Sequence, residues 1–267
     1  MLRDITIGQY YNTDSILHRL DARVKLLGTL VFLISLFLKR DVPAYILITV
    51  VLITMIRLSH VPFSFMVKGL KMVWILLFLT VPMNLFLTQG DVLVSWKMFS
   101  ITREGIEIAV FTVVRLVYLI IGSSLMTLTT TPNQLTDGLE KGLGFLKVIK
   151  VPVHEIAMMM SIALRFIPIL MEETDKIMKA QMARGADFES GKLFKRIKSL
   201  IPLFIPLFVS AFRRANDLAM AMEARCYRGG QGRTKMKPLI YEKRDKMAYL
   251  LMFLYLAAVI FLGFFIK

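Results

Sequence analysis

The sequence predicts an all-α polytopic membrane protein with about five transmembrane helices and long amphipathic helices on the cytoplasmic side. Three observations lead there. Hydrophobic residues make up 56% of the chain and mean hydropathy is +0.63, far above a soluble average. The apolar residues fall into separate runs of spanning length. Beyond Thr129 the character changes: between Thr129 and Lys246 lie roughly 20 of the 34 lysines and arginines, mixed with acids and with apolar runs too short or too polar to span.

Met1 to Leu20 is polar and mixed in charge, unlike a cleavable signal, so this start is expected to stay attached. Val24 to Leu38 is the first apolar run, extended at its basic end by Leu20 and Ala22. Lys39, Arg40 and Asp41 break it, Pro43 suits the first turn of the next helix, and Val42 to Leu58 forms the returning span. After the basic Arg57, His60, Lys68 and Lys71 comes Met72 to Thr88, where Pro82 removes a backbone hydrogen bond and a kink is expected. Gly90 to Glu104 reads as a polar and aromatic connection whose Trp96 and Phe99 suit a bilayer interface. Ile106 to Thr130 is the fourth span and Ala248 to Ile266 the fifth. The boundaries are thus an N-terminal bundle over residues 1–130, a cytoplasmic platform over 131–246 and a C-terminal span over 247–267. Placing the basic block inside puts the N-terminus in the cytoplasm and the C-terminus outside.

Within the platform, Pro132 to Gly144 predicts a short helix with Thr131 as cap and Leu135, Leu139 and Leu143 on one face. Val151 to Arg184 reads as a long helix or bent pair that starts apolar, carries Arg165 and Pro168, and turns charged at Glu172 and Glu173. The basic Lys192 to Lys198 follows. Leu200 to Phe212, about 13 apolar residues with two prolines, favours an interfacial or buried helix over a span. It can continue to Glu223, before Gly229, Gly230 and Gly232.

Several chemistries are excluded. One cysteine, Cys226, rules out an intrachain disulfide, and three scattered histidines give no metal-ligand cluster, so no metal site is expected. There is no phosphate-binding Gly-rich loop, no nucleophile elbow and no metalloprotease helix, so no catalytic residue is assigned. Adjacent Glu172 and Glu173 diverge around a helix and read as a solvated face; His154 and Glu155 read as an interfacial pair. The net charge of +15 fits cytoplasmic lysines and arginines meeting anionic lipid, or an acidic protein partner, with no pattern for nucleic acid. Arg115, well inside the fourth span, is either a functional group or a structural one bonded to carbonyls or to Asn84.

One phrase occurs twice in the platform. Ala180-Gln181-Met182-Ala183-Arg184-Gly185 and Ala221-Met222-Glu223-Ala224-Arg225-Cys226 lie roughly 40 residues apart, and each closes a helix-like run with Ala-Arg. A guanidinium offers a planar fork of donors suited to carboxylates, and a neighbouring alanine allows close approach. The plain alternative is an arginine that only complements its helix dipole. Two copies favour two equivalent sockets on a dimeric partner. The platform methionines, among them Met159, Met160, Met171 and Met178, are either core filling or an adaptable binding surface.

These segments, with Leu164-Arg165-Phe166-Ile167-Pro168 and the Glu172-Glu173 turn, resemble the transmembrane T component of energy-coupling factor transporters, over most of the chain. The resemblance implies two coupling helices whose arginines dock into two ABC-type ATPase subunits through Ala183, Arg184 and Gly185 and through Ala224, Arg225 and Cys226. Cys226 departs from the family's glycine and leaves the turn after Arg225 in question. It also implies a membrane-embedded substrate-binding S component resting on the helices' other surface, to which Leu135, Leu139, Leu143, Met159, Met160, Met171 and Met178 are assigned. The subunit would be non-catalytic and hold no cofactor of its own, ATP being bound by the partner subunits; the substrate class would be a vitamin or a transition-metal ion. A stand-alone permease and a membrane-anchored scaffold or regulator are the competing readings.

Overall fold

The computed structural model describes residues 10–38, 40–67, 69–96, 99–186, 188, 199–230, 236 and 238–265. Lys39, Lys68, the Lys192 to Lys198 stretch, Gly232 and Ile266, each part of an expectation above, lie outside them. In chain order the elements are α1 (Ala22–Leu38), α2 (Val42–Ser59), α3 (Phe63–Val67), α4 (Leu70–Leu87), β1 (Val92–Trp96), β2 (Phe99–Thr102), α5 (Arg103–Thr129), α6 (Pro132–Gly142), a 3-10 stretch (Leu143–Ile149), α7 (Val153–Ala183), α8 (Ile201–Ala224) and α9 (Lys243–Phe265). The chain is an all-α membrane protein carrying one short β-ribbon. It divides into two compact units, one within Gly8–Gly138 and Leu239–Lys267, the other within Leu139–Pro238.

By length and composition α2, α5, α7 and α9 can each cross a bilayer. The set differs from the five expected spans in two ways. At 17 residues α1 falls just short, and the apolar part of α4 is the shorter Val73–Phe86. In contrast α7, expected on the platform for its charged second half, qualifies because it runs unbroken through Pro168 for 31 residues and its first half is apolar. The connection expected over Gly90 to Glu104 is in part an antiparallel ribbon pairing Val94 with Ile101 and Trp96 with Phe99, as its β-branched and aromatic residues favour. Thr102 then caps α5 by accepting the Gly105 N–H at 3.1 Å.

In the first unit, Leu52, Met66, Ile121, Leu125 and Leu128 form one apolar cluster, and Leu36, Tyr45, Ile48 and Val259 a second. Helices α1 and α5 approach closely at Gly122, where a side chain would meet the Phe32 ring at 2.6 Å. Helix ends are closed by groups from distant segments. The last carbonyls of α5 have no partner within the helix. Tyr11 N–H donates to Leu128 O at 2.9 Å, and buried Lys25 Nζ donates to Thr129 O at 2.8 Å and His18 O at 3.0 Å. A cation there also complements the negative end of the helix dipole. Burial pushes the His18 imidazole below its ordinary value, and the ring bridges the Ser15 hydroxyl and Tyr11 O.

The start of α9 is tied to the same region. Buried Asp245 accepts the N–H groups of Asp21 at 3.0 Å and Glu242 at 2.8 Å, while Arg23 pairs with Asp21 at 2.8 Å and lies over the Tyr241 ring. One carboxylate thus joins two chain segments far apart in sequence. Replacing it strands two donors, each costing about 1–3 kcal/mol where water cannot replace the partner. Asp245→Ala is expected to lower the thermal midpoint in detergent clearly more than Asp245→Asn, which retains an acceptor oxygen; equal midpoints for the two variants would contradict this role.

Candidate functional site

The second unit is built on α7 and α8. Gln181 Nε2 reaches Pro202 O, and Glu173 meets Ser210 and Arg214, so partner numbers rise on one helix as they fall on the other: the helices run antiparallel. The Ser210 hydroxyl donates to Glu173 Oε1 at 2.6 Å and Arg214 donates to Glu173 Oε2 at 2.9 Å. Glu173 is therefore an interhelix link, while its neighbour Glu172 is exposed. The expectation of a solvated pair holds for one member only, because adjacent helical side chains point about 100° apart.

Both helices end in the same way. After α7, Gly185 N–H donates to Met182 O at 3.0 Å and Ala186 N–H to Gln181 O at 2.9 Å; after α8, Cys226 N–H donates to Glu223 O at 2.8 Å and Tyr227 N–H to Met222 O at 3.0 Å. These are two copies of the Schellman closure, with Arg184 and Arg225 as the capping residues. The closure needs a left-handed residue next, and Gly185 (φ 87°) and Cys226 (φ 57°) both supply it. The turn after Arg225 is thus the turn after Arg184, formed despite the missing glycine. Arg184 and Arg225 are both exposed and form no ion pair among the described residues. They are separated by 41 positions, as are Glu173 and Arg214.

The other assigned residues lie on α6, the 3-10 stretch and α7. Thr131 caps α6 as expected, in a reciprocal pair with Gln134. Leu135 and Leu139 are half-buried, but α6 stops at Gly142, so exposed Leu143 belongs to the 3-10 stretch and leaves the helical face. Met159 and Met160 are exposed, Met171 and Met178 half-buried. His154 pairs with Glu140 at 2.8 Å rather than with Glu155, since α7 turns the two neighbours apart. In the other unit Arg115 donates to the Tyr45 hydroxyl at 3.1 Å and lies over the Phe37 ring, and Tyr45 donates onward to Leu36 O. The partner is thus a hydroxyl rather than either structural alternative, a carbonyl or Asn84; Asn84 sits half-exposed in α4, and its carbonyl accepts the Thr88 hydroxyl one turn on.

Sequence reasoning missed two features. The first is Glu173 with Ser210 and Arg214, for which only the common spacing of 41 was a signal. The second is an exposed apolar stripe on α8: Ile201, Phe204, Ile205, Phe208, Val209 and Phe212, at helical spacing. That periodicity was present in the sequence, but which face the helix buries depends on where α7 lies.

The sequence is similar to known proteins over most of its length. The family model described as cobalt transport protein, CbiQ, matches residues 13–236. Among curated relatives, the energy-coupling factor transporter transmembrane protein EcfT of Clostridium kluyveri is 55% identical over 252 residues, covering 94% of this chain and 93% of the relative. The EcfT proteins of Bacillus subtilis (48% over 262 residues, 98% of each chain) and Lactococcus lactis (47% over 247 residues, 92% of this chain and 93% of the relative) are similar along nearly their whole length.

The Cys226 turn yields a direct test. A non-glycine residue in the left-handed region costs about 1 kcal/mol, so Cys226→Gly is expected to raise the thermal midpoint slightly and Cys226→Val to lower it; the opposite order would show that the turn is not formed. With matching helix ends and full-length likeness together, the chain belongs to the EcfT/CbiQ family of energy-coupling factor transporter transmembrane proteins.

Proposed function

We propose that this chain is the coupling subunit of an ATP-driven importer, carrying motion from two ABC-type ATPase subunits to a membrane-embedded substrate-binding S component that takes up a vitamin or another micronutrient. The observation that supports this most is the pair of identical helix closures, each presenting an exposed arginine. Ala183, Arg184 and Gly185 form one ATPase-docking tip, and Ala224, Arg225 and Cys226 the other. Ordered backbone at each cap fixes where the arginine side chain begins, and the planar fork of a guanidinium suits a charge-assisted socket on a partner carboxylate. The S component rests on the exposed apolar surface of the platform, which includes Met159 and Met160.

Energy enters through the ATPases and not through this chain, which is non-catalytic and holds no cofactor of its own. ATP-driven closure of the ATPase pair moves the two docked tips relative to each other and alters the grip on the S component. With α1 and α4 crossing the bilayer beside α2, α5 and α9, and α7 kept on the platform, the N-terminus and the platform face the cytoplasm and the C-terminus lies outside, in keeping with the lysines and arginines gathered after Thr129.

Charge reversal at the tips provides the test. Breaking one partner of a buried charge pair costs about 3–5 kcal/mol, so Arg184→Glu or Arg225→Glu is expected to weaken co-purification with the ATPase subunits and to abolish uptake in reconstituted vesicles. Undiminished co-purification and uptake in the double variant would refute the docking role.

A further inference from the structure

The Glu173, Ser210 and Arg214 contact has a position that helix packing alone does not require. Glu173 precedes Arg184 by eleven residues, and Arg214 precedes Arg225 by eleven. At 1.5 Å per residue each tip is about 16 Å from the contact along its own helix. Since α7 and α8 are antiparallel, the two arms leave the contact in opposite directions.

The two sides of the contact are packed differently. Toward the Arg184 tip, Gln181 bonds Pro202 across the helices. Toward the Arg225 tip lies an open cleft of about 240 Å³, lined on α7 by Ile162, Phe166 and Leu170 and on α8 by alanines, among them Ala215 and Ala219, together with Leu218 and Met222. Arg214 borders this cleft, and its Nε is buried without a hydrogen-bond partner among the described residues. Close-packed interiors resist sliding, and a gap beside a charged contact is where the helices can approach with least repacking.

We propose that Glu173, Ser210 and Arg214 form the pivot of the helix pair, and that the adjoining cleft is the free volume into which the arm bearing Arg225 swings. These are positioning residues: they touch neither ATP nor substrate and act through the two tips. The inference rests on the coupling reading above and adds where the motion is centred and which arm has room to move. A swing of α8 about this contact changes the angle between the helices, and with it the separation of the two tips.

The test uses the full complex with its ATPase and S subunits, comparing ATPase co-purification, ATP hydrolysis and uptake per ATP hydrolysed. Glu173→Arg and Arg214→Glu are each expected to leave co-purification intact and to lower uptake per ATP by at least about fivefold, with the double charge swap recovering most of it. Filling the cleft with Ala215→Leu and Ala219→Leu should lower uptake per ATP in the same way while assembly and hydrolysis persist. Loss of co-purification in the single-charge variants would reduce the contact to fold support and overturn the pivot. So would failure of the swap to recover uptake, or normal coupling with the cleft filled. A wild-type chain that neither co-purifies with ATPases nor supports uptake would instead overturn the coupling reading itself.

Discussion

Satisfaction of the helix-end carbonyls is the constraint on which the rest of this structure depends. A membrane helix satisfies its own backbone except at its ends, where the last carbonyls need partners from elsewhere. In the first unit those partners come from far along the chain: Lys25 and the Tyr11 N–H close α5. The N–H groups near the start of α9 need the same attention, and Asp245 serves both that turn and the backbone of Asp21. Each such closure ties two segments together, so the end of one helix becomes the anchor of another.

In the second unit the closures are local, and that difference has consequences. A Schellman turn satisfies the carbonyls with the two residues that follow, leaving the capping side chain with no structural duty. Arg184 and Arg225 therefore project as exposed charges on ordered backbone. Had these carbonyls been closed by side chains, as Lys25 closes α5, the arginines would have been drawn inward. The same economy explains the tolerance of Cys226: the two hydrogen bonds it completes offset the modest strain of its left-handed backbone.

Polar residues in the apolar parts of the chain follow one logic. Arg115 finds Tyr45 and Phe37, because a desolvated guanidinium takes the nearest acceptor and aromatic face that the packing offers. The bond it makes is settled by how α2 and α5 meet, since Tyr45 is distant in sequence. His154 is similar: its neighbour Glu155 is close along the chain but points away on the helix, whereas Glu140 is brought to it by the turn before α7. Leu143 shows the converse error, in which a correct period was extended past the residue where the helix stops.

Hydropathy, the positions of proline and glycine and the doubled Ala-Arg phrase are local properties, and they were enough to determine the long helices, most of their limits and the two tips, though not the short α3. Thr131, Gly185 and the long α7 and α8 were legible for that reason: the signals for starting and stopping a helix lie within a few residues of where they act. The ribbon over Val92–Trp96 and Phe99–Thr102, the Asp245 and Lys25 closures and the Glu173 contact with Ser210 and Arg214 were not. The ribbon pairs near neighbours within a stretch that reads as a polar connection, whereas the other contacts join residues whose distance along the chain carries no information about their distance in space. The sequence by itself therefore determined which segments are helices and where their arginines stand, and only the tertiary structure decided which faces meet, because burial and long-range hydrogen bonding exist only once the helices have packed.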